Sequence, residues 1–210
     1  MSLLLSYGVF LSGVVSLASL IILVIKIRSF GPTPFYGQSR KKGSRGIIYA
    51  FTKGMMPWEK ESARRHFLTY GAGVFYHLGI FSALIYILSL AAGLRLSFWP
   101  IFLWRLFIAG GLINGSCLFI RRISSGFLRT ISCADDYTAN ILVDLTLLIA
   151  FLSTYINGLK PLLFGVSIVL FLYIPMGKIR HCFFFFYSRV LFGLFFGRRG
   201  VLPQPKSEQI

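Results

Sequence analysis

The chain has 210 residues, of which 56% are hydrophobic and only 13% are charged. A soluble domain usually carries about twice that charged fraction, so the composition excludes a soluble globular protein. The net charge of +16 arises from 22 Lys and Arg against six acids. Because these charges lie between long apolar runs, they indicate membrane-flanking loops rather than nucleic-acid binding.

Five apolar runs along the chain have about the 20 residues that a membrane helix needs. We expect spans over 3–27, 66–92, 98–120 and 139–156, and a fifth from Pro161 to about Cys182. The first run lacks a cleavage site before its basic end, which predicts a retained helix rather than a signal peptide. The Phe-rich stretch 183–196 is expected to be an interfacial extension. The predicted fold class is all-α, an integral membrane bundle of five transmembrane helices.

The basic residues predict the direction of these spans, because cytoplasmic loops carry an excess of Lys and Arg. With five spans, 19 of the 22 fall on one side: ten in 26–65, three in 121–129 and six from residue 178 onward. The other side keeps Arg95, Arg105 and Lys160. We therefore expect the N-terminus outside and the C-terminus in the cytoplasm. The membrane domain is predicted to cover 1–197 with a cytoplasmic loop at 28–65, followed by a basic extended tail at 198–210.

Two histidines inside the predicted spans are candidate metal ligands. His77 lies in the second span and His181 near the cytoplasmic end of the fifth, so both imidazoles are expected in the same leaflet. Two helical histidines at similar depth are what bis-histidine haem ligation requires. The alternative is that each is a hydrogen-bonding residue of the bundle core. His66, 11 residues before His77 and about 16 Å away along the helix, reads best as an interfacial histidine.

Other charged residues inside the predicted spans are also functional candidates, because such groups are costly in a bilayer. Asp144 could orient a ligand imidazole, pair with an arginine or handle a quinone proton; a hydrogen bond that merely satisfies the acid is the alternative. Arg121 and Arg122 lie at a depth suitable for haem propionates, although positive-inside anchoring explains them equally well. Arg105 lies about two turns below the outer surface, where snorkelling accounts for it.

The order of several short motifs across the spans resembles the membrane cytochrome b subunit (gamma subunit) of respiratory nitrate reductases. Its heterodisulfide-reductase-like and sulfite-reduction-associated branch is the most similar. The motifs on which this resemblance rests are Met56–Ser62 with Arg65-His66, Val74–Ile80 around His77, Gly110-Gly111, Arg121-Arg122, Asp135-Asp136-Tyr137 and Met176–His181. The resemblance covers nearly the whole chain, and it implies a prokaryotic cytoplasmic (inner) membrane location.

The resemblance also implies a cofactor. The family usually binds two b haems between its second and fifth spans, and His77 and His181 correspond to the ligands of the haem nearer the cytoplasm. Ile87 and Leu163 occupy the positions of the other ligand pair, and neither side chain can bind iron. We therefore expect one b haem, with Arg121 and Arg122 as its propionate partners.

The function expected from this resemblance is that of a membrane-anchoring subunit of an oxidoreductase complex. It would pass electrons between the quinone pool and a cytoplasmic iron–sulfur partner, with the substrate chemistry on other subunits and with Asp144 or His66 assisting quinone protons. The alternative is a haem-free structural anchor. A small transporter with Arg105 and Asp144 lining a pore is less favoured, because no inverted repeat or broken-helix pair is evident.

Overall fold

The computed structural model describes residues 2–31, 38–39, 41–95 and 97–202. That part of the chain contains helices and no strand, so the all-α prediction is confirmed. Most of the predicted extended tail, from residue 203 onward, lies outside the described residues, as do residues 32–37 and 40 of the predicted loop. The α-helices are α1 (Ser2–Ser29), α2 (Gly43–Phe51), α3 (Glu61–Arg65), α4 (Phe67–Ala91), α5 (Phe98–Ser124), α6 (Gly126–Thr130), α7 (Ala134–Ser153), α8 (Lys160–Tyr173) and α9 (His181–Arg198).

Five helical segments of the described chain are long and apolar enough to cross a membrane. They are Leu3–Ser29, Phe67–Ala91, Phe98–Ser124, Ala134–Ser153 and Lys178–Arg198. At about 1.5 Å of rise per residue, each matches the thickness of a hydrocarbon core of roughly 30 Å. The chain is therefore a multi-pass membrane protein.

The count of five agrees with the prediction, but the fifth segment is not the one expected. The predicted span from Pro161 to about Cys182 is interrupted, because α8 ends at Tyr173 and α9 begins at His181. Pro175 explains the interruption, since it has no N–H to donate to a carbonyl four residues earlier. Beyond it, the Gly177 N–H returns to the Tyr173 carbonyl at 2.9 Å and closes the turn. The Phe-rich stretch belongs to a helix that is long and apolar enough to cross a membrane, and its expected interfacial position stays a prediction.

The described residues of Met1–Ile22 and Leu68–Arg180 form one compact unit. Its fully buried side chains come from α1, α4, α5, α7 and α8, and the largest are Ile87, Ile108, Leu147, Leu163 and Val9. Helices α4 and α5 approach closely at two glycines, where a Cβ added to Gly79 would lie 2.5 Å from Gly111 Cα. Small residues permit this approach and its dispersion contacts, which replace the hydrophobic effect inside a membrane.

The described residues of Leu23–Phe67 and His181–Ile210 form a second compact unit. Its main contact packs the short helix α2 against α9, again through glycines. A Cβ added to Gly46 would lie 2.5 Å from Gly197 Cα, and Gly193 lies at the same contact. The Lys41 N–H, two residues before α2, donates to the Arg198 carbonyl at the end of α9 at 3.2 Å.

Candidate functional site

One face of α4 carries His77. Its Nδ1 lies 2.6 Å from the carbonyl oxygen of Gly73, one turn earlier. Because a carbonyl only accepts hydrogen bonds, Nδ1 carries the proton of the neutral ring and Nε2 carries the lone pair. His77 is exposed in its unit, and a Cβ added to Gly73 would meet no atom within 4 Å. The surface of α4 beside Gly73, one turn before His77, is therefore open.

Arg121 reaches the same face of α4 from the end of α5. Its guanidinium donates to the Thr69 hydroxyl at 2.5 Å. Thr69, Gly73 and His77 follow one another at intervals of four residues, so they lie along one stripe of the helix. Thr69 and His77 are about 12 Å apart along the axis. A cation, an open glycine and an imidazole thus share one surface of this unit.

Arg122 is engaged elsewhere. It donates to the Ser132 hydroxyl at 2.8 Å and lies 3.7 Å from an Asp136 carboxylate oxygen. Lys178 binds the other oxygen of Asp136 at 2.6 Å. This ion-pair network joins the end of α5, the start of α7 and the turn after α8. Arg121, whose described partner is neutral, is the better placed of the two predicted propionate partners.

The network also shows where α8 ends. Tyr173, the last residue of α8, donates to the Asp135 carboxylate at the start of α7, and the Lys178 N–H donates to the same carboxylate at 2.7 Å. Helix α8 has only 14 residues, yet it returns to the end of the unit at which α7 begins. Lys178 and Arg122 therefore lie at one end of this unit, as the charge count of the sequence predicts.

Asp144 lies in α7 among polar partners from its own helix and from α4. Asn140, one turn earlier, donates to one carboxylate oxygen at 3.0 Å and lies 3.4 Å from the Tyr76 hydroxyl. The other oxygen, Oδ1, is buried against Gly115 and has no hydrogen-bond partner among the described residues. An arginine partner, one of the expected alternatives, is not among these contacts.

Arg105 has an internal role at the opposite end of α7. Its guanidinium donates to the Thr154 carbonyl at 2.6 Å and to the Thr154 hydroxyl at 3.0 Å, and it stacks on the Tyr155 ring at 3.8 Å. A cation at this position complements the negative end of the helix dipole. Thr154 lies ten residues after Asp144, about 15 Å along the axis. Arg105 and Asp144 therefore do not converge on a shared pore in this unit.

The remaining predicted ligands fall in the second unit. His181 begins α9 and is exposed in its unit, and His66 follows α3, where its N–H donates to the Ala63 carbonyl at 3.2 Å. His77 belongs to the first unit, so the pairing of His77 with His181 stays a prediction of the sequence. So does a proton role for His66.

Three residues beside Asp144 were not anticipated: Tyr76, Gly115 and Asn140. Asn140 offered a signal, because it precedes Asp144 by one helical turn and polar residues at that spacing meet. Tyr76 and Gly115 come from α4 and α5, and only the packing of three helices brings them to the acid.

No protein-family model, curated protein or solved structure matches this chain.

Proposed function

We propose that this chain is a membrane-anchoring cytochrome b subunit of a respiratory oxidoreductase complex. It would hold one b haem and exchange electrons between the quinone pool and a cytoplasmic iron–sulfur partner. The observation that carries the proposal is one stripe of α4. Along it lie Thr69 with its bound Arg121, then Gly73 with open space beside it, then His77. The resemblance of the sequence to nitrate reductase gamma subunits supplies the class.

The chemistry of His77 suits a residue that would hold a haem iron. Metal-bound histidines usually donate their second ring N–H to a carbonyl or carboxylate, which fixes the tautomer and the ring orientation. Because the Gly73 carbonyl accepts from Nδ1, Nε2 is the nitrogen that would hold the iron. We assign His181 as the second ligand from the sequence.

The surroundings of His77 also suit a flat, anionic ligand. Gly73 leaves its face of the helix open, and Arg121 supplies a guanidinium on the same stripe. Arginine binds carboxylates such as propionates by charge-assisted hydrogen bonds. Arg122 would contribute mainly by holding α5 and α7 together through Asp136.

The proposal includes one haem rather than two. Ile87 and Leu163, at the positions of the family's other ligand pair, are fully buried members of one hydrophobic core cluster. Native cores are close-packed, so a macrocycle there would have to displace these side chains. This packing supports the loss of the second site.

When bound, a b haem supplies one-electron transfer between quinone and the iron–sulfur protein. Gly73 orients the imidazole of His77 through its carbonyl, and Arg121 would bind an anionic edge of the haem. Asp144 would hold a proton at Oδ1, the oxygen without a described hydrogen-bond partner, and His66 is the second candidate for quinone protons.

We further propose that the basic end of the protein faces the cytoplasm of a prokaryote, with the N-terminus outside. The basic segment from Arg40 to Arg65 and the C-terminal tail would offer the docking face for the iron–sulfur partner. The clustering of Arg122 and Lys178 at one end of the first unit supports this direction. Anionic lipid headgroups would be drawn to the same charges.

A haem-free structural anchor is the second candidate. It is favoured by the close approach of α4 and α5 at Gly79 and Gly111, which needs no cofactor to hold the helices together. The two candidates differ in one measurable property, the haem content of the purified protein.

The test is the reduced-minus-oxidised spectrum and the haem-to-protein ratio of the purified complex. We expect one b haem per chain in the wild type and none in His77→Ala or His181→Ala. His66→Ala is the matched control and should keep the haem, because this third histidine lies outside the proposed ligand pair. An intact complex without b-type absorbance would overturn the cytochrome proposal and leave the structural anchor.

A further inference from the structure

A groove of about 680 Å³ lies at one end of the first unit. Its walls are the first turns of α1, the end of α4 with the residues after it, and the start of α8. Leu90, which lines it, is 13 residues after His77 on the same helix, about 20 Å along the axis. The groove is therefore separate from the proposed haem face, and its ligand can be inferred independently of that proposal. Its volume is in the range of sites that bind small molecules.

Most of the groove wall is apolar. Leu3, Phe10, Leu90 and Phe164 line it from three different helices. The wall at the end of α4 is fixed by a Schellman motif. The Gly93 N–H donates to the Leu90 carbonyl at 3.0 Å, and the Leu94 N–H donates to the Ser89 carbonyl at 3.0 Å. Gly93 adopts the left-handed conformation that this motif requires, with φ of 69°. Such a wall suits a hydrocarbon chain.

The polar part of the groove lining is positively charged. Lys160 lines it beside Asn157 and Tyr7, and no lining residue is acidic. Lys160 forms no ion pair with any residue that the structure describes. It is the first residue of α8, whose N-terminus has no side-chain cap. The positive end of the helix dipole and the ammonium group therefore favour an anion at the same place.

We propose that this groove binds one anionic phospholipid, with its phosphate at Lys160 and the start of α8 and an acyl chain along the apolar wall. A free phosphate would use the cation but not the hydrocarbon-lined wall. A quinone would use the wall and could accept a hydrogen bond from the ammonium group, but its neutral head would not form the ion pair that a phosphate forms. The lipid matches both halves of the groove.

The experiment is native mass spectrometry of the full-length protein, delipidated in detergent and titrated with dioleoyl phosphatidylglycerol or dioleoyl phosphatidylcholine. We expect one phosphatidylglycerol to be retained in preference to phosphatidylcholine. A basic residue near a membrane contributes about 1 kcal/mol to the binding of anionic lipid, so Lys160→Gln should lower this retention about fivefold. Lys160→Arg should restore it.

Two further variants and two competitors complete the test. Arg95→Gln is the matched control, because Arg95 precedes α5 outside the groove lining, and it should retain the lipid as the wild type does. Ala92→Phe should reduce retention by filling the groove without changing its charge. Equal retention of the two lipids, or equal losses in Lys160→Gln and Arg95→Gln, would overturn the proposal. So would displacement of the lipid by inorganic phosphate, or by a neutral quinone analogue that binds Lys160→Gln as well as the wild type.

Discussion

Two adjacent glycines in α5 allow the packing of α4 against α5 to be tested by one methyl group. A Cβ added to Gly111 would lie 2.6 Å from Gly79 Cα, whereas a Cβ added to Gly110 would meet nothing within 4 Å. The obstacle at Gly111 is backbone, which cannot rotate away as a flexible side chain does. Gly111→Ala must therefore force the two helices apart, and Gly110→Ala need not.

The two variants should differ in their free energy of unfolding, because they share one contribution and differ in a second. Each replaces a helical glycine by alanine, which favours the helix by about 1 kcal/mol. Only Gly111→Ala adds overpacking, which costs about 1–3 kcal/mol. Gly111→Ala should therefore be less stable than Gly110→Ala by about 1–3 kcal/mol.

The assay is reversible unfolding of the detergent-solubilised protein by sodium dodecyl sulfate, followed by circular dichroism. Gly79→Ala, which places the methyl group on the other helix, should resemble Gly111→Ala. If Gly111→Ala unfolds at the same or a higher denaturant fraction than Gly110→Ala, the described contact between α4 and α5 is wrong.

Two other predictions concern charged groups with internal partners. Arg105→Met removes two hydrogen bonds to Thr154 and should destabilise the protein by about 1–3 kcal/mol in the same unfolding assay; the exposed Arg95→Met should leave it unchanged. The hydrogen bond from the Tyr49 hydroxyl, at 2.8 Å, lowers the pKa of Glu59 below its ordinary value. The stabilisation from this hydrogen bond is therefore fully present above the ordinary carboxyl pKa, and it is lost as the pH falls through the lowered pKa of Glu59. Tyr49→Phe should raise the Glu59 pKa in a carboxyl NMR titration, and an unchanged pKa would contradict this assignment.

Hydropathy predicts the span-length helices well where they are bounded by charge or glycine. The second span is predicted at 66–92, and α4 runs from Phe67 to Ala91. The error lies at the fifth, where the predicted span continues through Pro175. Hydropathy measures only how apolar the side chains are, so it gives no sign that Pro175 lacks the backbone N–H that a continuous helix needs.

The site could be predicted only in part, since its residues are distant in sequence. The three histidines and Asp144 were identifiable because polar groups are costly in apolar spans. The partners of Arg121 and Arg122 were not identifiable, because Arg122 reaches Asp136 and Arg121 reaches Thr69 only after the helices pack. A periodic sequence pattern predicts which residues share a face of one helix, whereas each of these contacts joins two helices.

The packing of α2 against α9 has a consequence for the order in which the protein can assemble. Helix α2 has nine residues, and isolated helices of fewer than about 12–15 residues are marginal in water. Its glycine contact is with Gly193 and Gly197, close to the other end of the chain. A chain emerging from the ribosome would thus carry the α2 segment without its partner until α9 has been synthesised. The α2–α9 pair can therefore form only after α9 has been synthesised, so this contact cannot guide the earlier steps of folding.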